Sequence, residues 1–334
     1  MPITTLGHVS ITPVRVVTKA TLAQLHQAAD DQPYRAPVPS EGWGNVFVGD
    51  EIVGKSLKGR PVSGKTELVG ADDLHPEQFR ARLFWDQVDP KAISMIGEMG
   101  DPDLVNVLQA TDITLSETSE KGILLALLGL RQDTMIKAHV IPCLRRLLLS
   151  VDENAAIYRD SSPIDFGDDD FFHWLLYRYN NDPQVALDIV LTSVRAIRSE
   201  DVYYRGASIN QGADLDRPEL LALIGAASTR FGPAKLTLED ATLGLTLDFE
   251  LRLDGGFSAF VGSSAYEIDL GRAEMGLRLV QDVAYKVIPD LKHAYDADSF
   301  WRDTNRDAFL AQSRQQLVQY LLPDGCPHCG QPVV

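Results

Sequence analysis

Leu243–Leu253 (LGLTLDFELRL) alternates apolar and polar side chains, Asp254-Gly255-Gly256 supplies a tight turn, and Phe257–Val261 runs back. A side-chain period of two places every second residue on one face, and the turn makes the two runs antiparallel neighbours. This hairpin is the plainest structural statement in the chain, and Lys235–Glu239 reads as a third strand beside it.

The rest of the pattern divides in two. Residues 1–70 hold a strand-like stretch around Val9, Ile11, Val14 and Val16, then a short helix from Thr21 to Ala29 with Thr21 as its cap. A proline- and glycine-rich loop follows, and Asn45–Val48, Glu51–Val53 and Glu67–Val69 read as further strands. Beyond His75 the spacing predicts helices: Pro76–Phe84, Pro90–Met99, Asp101–Ala110, Ser119–Leu130 and Thr134–Ser150, the last kinked by Pro142. Asp168–Tyr179 reads as a helix with acidic residues at its N-terminus. Asp182 caps an expected helix from Pro183 to Arg198, and Asp216 another over Pro218–Phe231. Leu270–Lys286 and Ser299–Leu321 close the pattern. The expected fold is therefore α+β: a small β-rich module (1–70), a larger, mainly helical body carrying the hairpin (71–322), and a separate tail (323–334).

Charge follows the same division. The chain carries −16 over 334 residues. Residues 1–70 hold seven basic against six acidic side chains, a net of +1, which leaves −17 on the remainder. A surface that acidic repels phosphate backbones, so nucleic acid is expected only at the basic stretch 55–65. The longest apolar run, Gly122–Leu130, is far too short to span a bilayer, and the first residues lack a charged-then-apolar leader. No membrane association is expected. Three cysteines, an odd number, argue against a disulfide framework and for the cytoplasm.

Two motifs carry chemistry. Cys326-Pro327-His328-Cys329-Gly330 has the spacing of half a zinc ribbon. Two thiolates at that distance reach one tetrahedral metal, and glycine permits the turn. Four ligands are needed. Cys143, His8, His26, His75, His139, His173 or His293 could complete the set, or a second copy of the chain could supply an identical pair. In that respect the CPxC element resembles that of zinc-hook proteins, a likeness covering four residues and saying nothing about fold. CPHC is also similar to the redox motif of thiol oxidoreductases, but those enzymes need a helix straight after the first cysteine, and Pro332 follows closely here.

The second motif is Gly59-Arg60-Pro61-Val62-Ser63-Gly64-Lys65-Thr66, which satisfies the phosphate-loop pattern through Gly59, Gly64, Lys65 and Thr66. Such a loop must follow a buried strand and open a helix, and neither flank reads that way. A β-meander with basic turns accounts for the same residues. A nuclease-like set is weaker still: Asp240 with Glu250-Leu251-Arg252 has arginine where lysine is required. Asp165, Asp168, Asp169 and Asp170 beside His173 could hold a divalent cation, but the same carboxylates serve as a helix N-terminus. Trp43, Trp85, Trp174 and Trp301 read as core or interface anchors.

The resulting expectation is a non-catalytic interaction or scaffold protein that self-associates as a homo-oligomer through its tail, with structural zinc. In general style it is similar to accessory subunits of multi-gene bacterial defence or mobile-element systems. The alternative is an enzyme acting on nucleotides or nucleic acid, with Mg²⁺ and ATP at Lys65 and its neighbours or Mg²⁺ near the hairpin.

Overall fold

The computed structural model describes residues 7–34, 41–46, 64–88, 94, 106–168, 170–200, 206–210, 212–215, 217–226 and 230–322. The chain forms two compact units, Met1–Asp165 with Leu270–Lys286, and Phe166–Asp269 with Val287–Val334.

The first unit opens with β1 (His8–Val17) and α1 (Leu22–Asp30). Thr21 caps α1 as expected, its hydroxyl accepting from the Gln24 amide while the Gln24 side chain accepts from the Thr21 amide. Next come β2 (Glu41–Gly44), β3 (Glu67–Val69), β4 (Gln78–Val88), β5 (Asn106–Glu117) and β6 (Ile123–Leu128). A helical turn at Asp133–Met135 and a π-helical turn at Ile136–Val140 lead into α2 (Ile141–Leu149), with Pro142 in its first turn, and β7 (Ala156–Tyr158) follows. The strands pair antiparallel in the order β2-β4-β5-β6-β1, with β3 on β4 and β7 on β1.

The second unit holds α3 (Asp170–Asn181), β8 (Ile189–Glu200), β9 (Gly206–Asn210), α4 (Pro218–Gly225), β10 (Arg230–Asp240), β11 (Leu245–Leu251), β12 (Phe257–Phe260) and β13 (Ala265–Tyr266). Its antiparallel order is β12-β11-β10-β8-β9, with β13 on β11, so the hairpin and its third strand stand where the alternation places them. The chain returns to the first unit as α5 (Arg272–Asp282). After a π-helical turn it completes the second with α6 (Ile288–Ala297) and α7 (Arg306–Leu321).

The mainly helical body is not what forms. Among the described residues helix and strand take nearly equal shares, 36% and 35%, and thirteen strands dominate the architecture. Expected helices 76–84, 119–130 and 183–198 give way to β4, β6 and β8, the described part of 101–110 belongs to β5, and 90–99 lies, apart from Ser94, outside the described residues. The reasons differ. In β6, Leu124 to Leu128 are all buried, because both faces are covered. A strand covered on both sides loses its alternation and cannot be told from a helix by period. In β8, Val194 pairs with Leu236 and Ala196 with Lys235, while Leu191 pairs with Leu238 and Ser193 with Thr237. Arg195 and Thr192 are thus extra residues, and these two bulges space the buried Ile189, Leu191, Val194 and Ile197 at helix-like intervals.

The two faces of the first unit's sheet differ in kind. Val14, Val16, Phe79, Ala81, Leu83, Ile113, Leu115, Leu124 and Leu128 form an apolar core with Leu22 and Leu25 of α1 and Leu144 and Leu147 of α2. On the other face, Leu277 and Val280 of α5 meet Val9, Ile11 and Leu127 around a small cavity that Arg80, Asp112 and Thr114 also line. The alternation that sends Phe79, Ala81 and Leu83 to the core sends Gln78, Arg80 and Arg82 here. Arg82 is fully buried and lies directly opposite Asp112 in the ladder. Its Nε donates to Asp112 Oδ1 at 2.7 Å and its Nη2 to Oδ2 at 3.1 Å, a bidentate pair.

In the second unit α3 sits on β10. Gly232 has φ +115°, and a Cβ there would lie 2.4 Å from the Phe172 ring, so only glycine lets the helix approach this closely.

Removing one partner of a buried ion pair costs more than the pair is worth, because a charge is left in low dielectric. Asp112→Ala is therefore expected to destabilise the protein by about 3–5 kcal/mol in urea unfolding, with Arg82→Met/Asp112→Leu recovering most of the loss. A penalty for Asp112→Ala below about 1 kcal/mol would show the pair to be incidental.

Candidate functional site

Of the phosphate-loop residues, Gly59 lies outside the described residues, as does most of the basic stretch 55–65. Gly64 and Lys65 are exposed, and Thr66 is buried. Thr66 opens β3, not a helix. Its amide and hydroxyl both donate to Asp30 Oδ1 at 2.9 Å, and its carbonyl lies 3.1 Å from His26 Nε2. The hydroxyl that a phosphate loop would turn towards Mg²⁺ is spent tying the β3 approach to α1.

Cys326 and Cys329 lie outside the described residues. Most of the side chains considered as their co-ligands make contacts within the fold, while His293 is exposed on α6. Cys143 is buried on α2 and its Sγ donates to Glu41 Oε2 at 3.0 Å. Arg146 donates to the same oxygen at 3.2 Å, and His139 Nδ1 is 3.4 Å from Oε1. The His139 ring stacks on Trp85, centroids 5.2 Å apart. Burial would raise the Glu41 carboxyl, but its contacts with Cys143, Arg146 and His139 outweigh that and hold it below the usual range. Burial, then the carboxylate neighbour, pushes the Cys143 thiol up to about 12. A thiol held protonated is neither a nucleophile nor a metal ligand at neutral pH. His75 faces a carboxylate at each ring nitrogen, Asp72 at 3.0 Å and Asp282 at 2.9 Å. His173 packs edge-on against Phe231. Among the described residues no group of three or more His, Cys, Asp or Glu side chains converges on a metal-sized site.

Of the acidic cluster, Asp165 accepts from the Ser162 amide at 3.3 Å, and Asp168 and Asp170 serve the second unit's aromatic core. Tyr295 donates to Asp168 at 2.7 Å, and burial followed by this carboxylate raises the phenol's pKa. Trp301 Nε1 donates to Asp170 Oδ2 at 3.0 Å, and Arg306 Nε to its other oxygen at 2.8 Å. Trp174 Nε1 donates to Asp298 at 2.9 Å. Trp174 and Trp301 are fully buried, and an indole N–H taken out of water needs an acceptor. Asp169 is outside the described residues.

Asp240 and Glu250 are not brought together. Asp240 ends β10 opposite Leu245, with its Oδ1 accepting from the Leu243 amide at 3.0 Å. Glu250 sits five positions further along β11, roughly 16 Å away at strand rise, opposite Lys235 and Ser258. Arg252 turns to Asp254 in the hairpin loop.

Among the described residues, the end of α7 carries several exposed apolar side chains close together in sequence. Its first half is anchored by Phe309, Leu310 and Ser313, and Arg314 Nε donates to the Gly225 carbonyl at 2.8 Å. Its last turn presents Val318 (52% exposed), Leu321 (64%) and Leu322 on one side and Tyr320 (59%) beside them. Spacings of three and four residues make these one apolar ridge, immediately ahead of the Cys326/Cys329 tail.

Compared with protein-family models, curated proteins and solved structures, the chain matches none. No helix among the described residues is long and apolar enough to cross a membrane.

With its pKa near 12, Cys143 should resist alkylation in the folded protein. In a Cys326→Ser/Cys329→Ser variant, thiol titration at about pH 8 should find no reactive group until denaturant is added. Rapid labelling of the native variant would contradict the burial and the Glu41 contact.

Proposed function

We propose that this chain is a non-catalytic interaction protein that self-associates through its C-terminal end. In this reading Cys326 and Cys329 from each of two copies share one structural zinc, and the ridge Val318, Leu321 and Leu322 packs against its equivalent. The exposed ridge carries the proposal, because apolar residues in helical register and open to water gain by being covered. The choice of a second copy rests on coordination chemistry. Two thiolates are half of a tetrahedral set, Cys143, His26, His75 and His139 are each engaged within the first unit, and exposed His293 could add at most one ligand of the two still needed. A symmetric pair of chains closes such a contact without leaving an open end. The cytoplasm, where thiols stay reduced, suits a thiolate site of this kind. The nucleotide-acting alternative needs the Thr66 hydroxyl, which Asp30 holds.

Light scattering and metal analysis of the full chain test this together. The expected result is a dimer with about one zinc per two chains, converted to monomer by a chelator. Cys326→Ser should lose the metal, and Leu321→Asp should weaken the dimer. A protein that is monomeric with zinc supplied, or a dimer indifferent to both chelator and Leu321→Asp, would overturn the proposal.

A further inference from the structure

The polar face of the first unit's sheet ends in an open cleft of about 480 Å³ between the 72–75 loop, β4 and α5. That size suits a small molecule. His75 fastens its rim: the ring spans from Asp72 on the loop to the fully buried Asp282 on α5. Two residues along from the paired Arg82, Arg80 lines the cleft in a different condition. It is half-buried, its Nε donates to Gln78 Oε1 at 2.9 Å, and it has no ion-pair partner among the described residues. Two acids, Glu67 and Asp72, act on it only at longer range. Glu67 stands opposite in the ladder but accepts from Asn45 Nδ2 at 2.8 Å. Asp72 accepts from His75 and from the Leu74 and His75 amides, which together hold its carboxyl at about 2. Burial pulls the Arg80 guanidinium below its ordinary pKa by more than Glu67, Tyr285 and Asp72 at longer range restore. Beside it, Gln78 is 1% exposed, its Oε1 accepts from both Arg80 and Gln281, and its Nε2 has no hydrogen-bond partner among the described residues. A buried charge and a buried amide donor left in this state are costly unless something supplies acceptors.

We propose that this cleft binds a small zwitterion of the amino-acid class, with its carboxylate on the Arg80 guanidinium and its ammonium between Asp73 and Glu274. The guanidinium fork matches a carboxylate bidentately. Arg278 also lines the cleft but pairs with Asp282 at 3.4 Å; a phosphate dianion would meet Asp72, Asp73 and Glu274 beside Arg80, whereas a ligand carrying both signs satisfies both. Leu74 and Leu277 give its side chain an apolar wall.

Calorimetric titration of the full chain with the standard free amino acids, their N-acetyl and amide derivatives, and inorganic phosphate tests the inference. One or more free amino acids should bind, and removing either charge from the ligand should weaken binding about tenfold or more. Arg80→Gln should abolish binding with little change in the thermal melt. Should that variant fail to fold, exposed Glu274→Gln serves in its place and should weaken the amino acid severalfold. No binding of any amino acid up to about 10 mM, equal binding of the acetylated ligand or phosphate, or full affinity in the folded variants would each overturn it.

Discussion

A guanidinium with no exposure to water organises the first unit. Arg82 can be buried only because Asp112 stands directly across the ladder and meets it with both oxygens. That requirement pins the register of β4 against β5, since a slip of one residue would turn Arg82 into the apolar core and bring Phe79, Ala81 and Leu83 to the polar face. With the register set, the core residues of both strands face α1 and α2, and the polar residues face α5. The cost of desolvating Arg82 is thus tied to a fold in which one side of a sheet can be nearly all hydrocarbon.

The second unit meets the same problem, polar groups carried into a core on large side chains, in another way. Its indoles and phenol bring their donors inside with their rings, and Asp168, Asp170 and Asp298 accept from them. Carboxylates that in sequence resemble a cation site or a helix cap are the polar rim of an aromatic core. Asp112 in the first unit, like Asp168, Asp170 and Asp298 in the second, acts as a partner for donors carried inside. Arg80 departs from that pattern, and the cleft it lines is where the structure leaves a charge unmatched.

Some of this was legible in the residues. The β10–β11–β12 arrangement, the Thr21 capping box, the helix at Asp170–Asn181 and the disruption beside Pro142 follow from local rules: alternation, a turn, a cap, a missing amide hydrogen. Two of the misread segments hide their period for different reasons. β6 is covered on both faces, and β8 carries bulges at Thr192 and Arg195, so neither displays the period of two. The Arg80 cleft left no local signal, because His75 and Asp282 are 207 residues apart and Gln78 and Gln281 are 203. A clue was available only once β4 is read as a strand, when Gln78, Arg80 and Arg82 fall on one face.

By itself the sequence determined the elements whose stabilising partners lie within a few residues, the uneven charge along the chain, and the pairing of Cys326 with Cys329 at metal-binding spacing. Only the tertiary structure decided that the central segments are strands, that Cys143 is held protonated by burial and by Glu41, that Thr66 belongs to Asp30, and that Arg80 lines an open cleft while Arg82 does not. Each of those depends on which side chain from a distant segment arrives within hydrogen-bonding distance, and composition and local period contain no information about that.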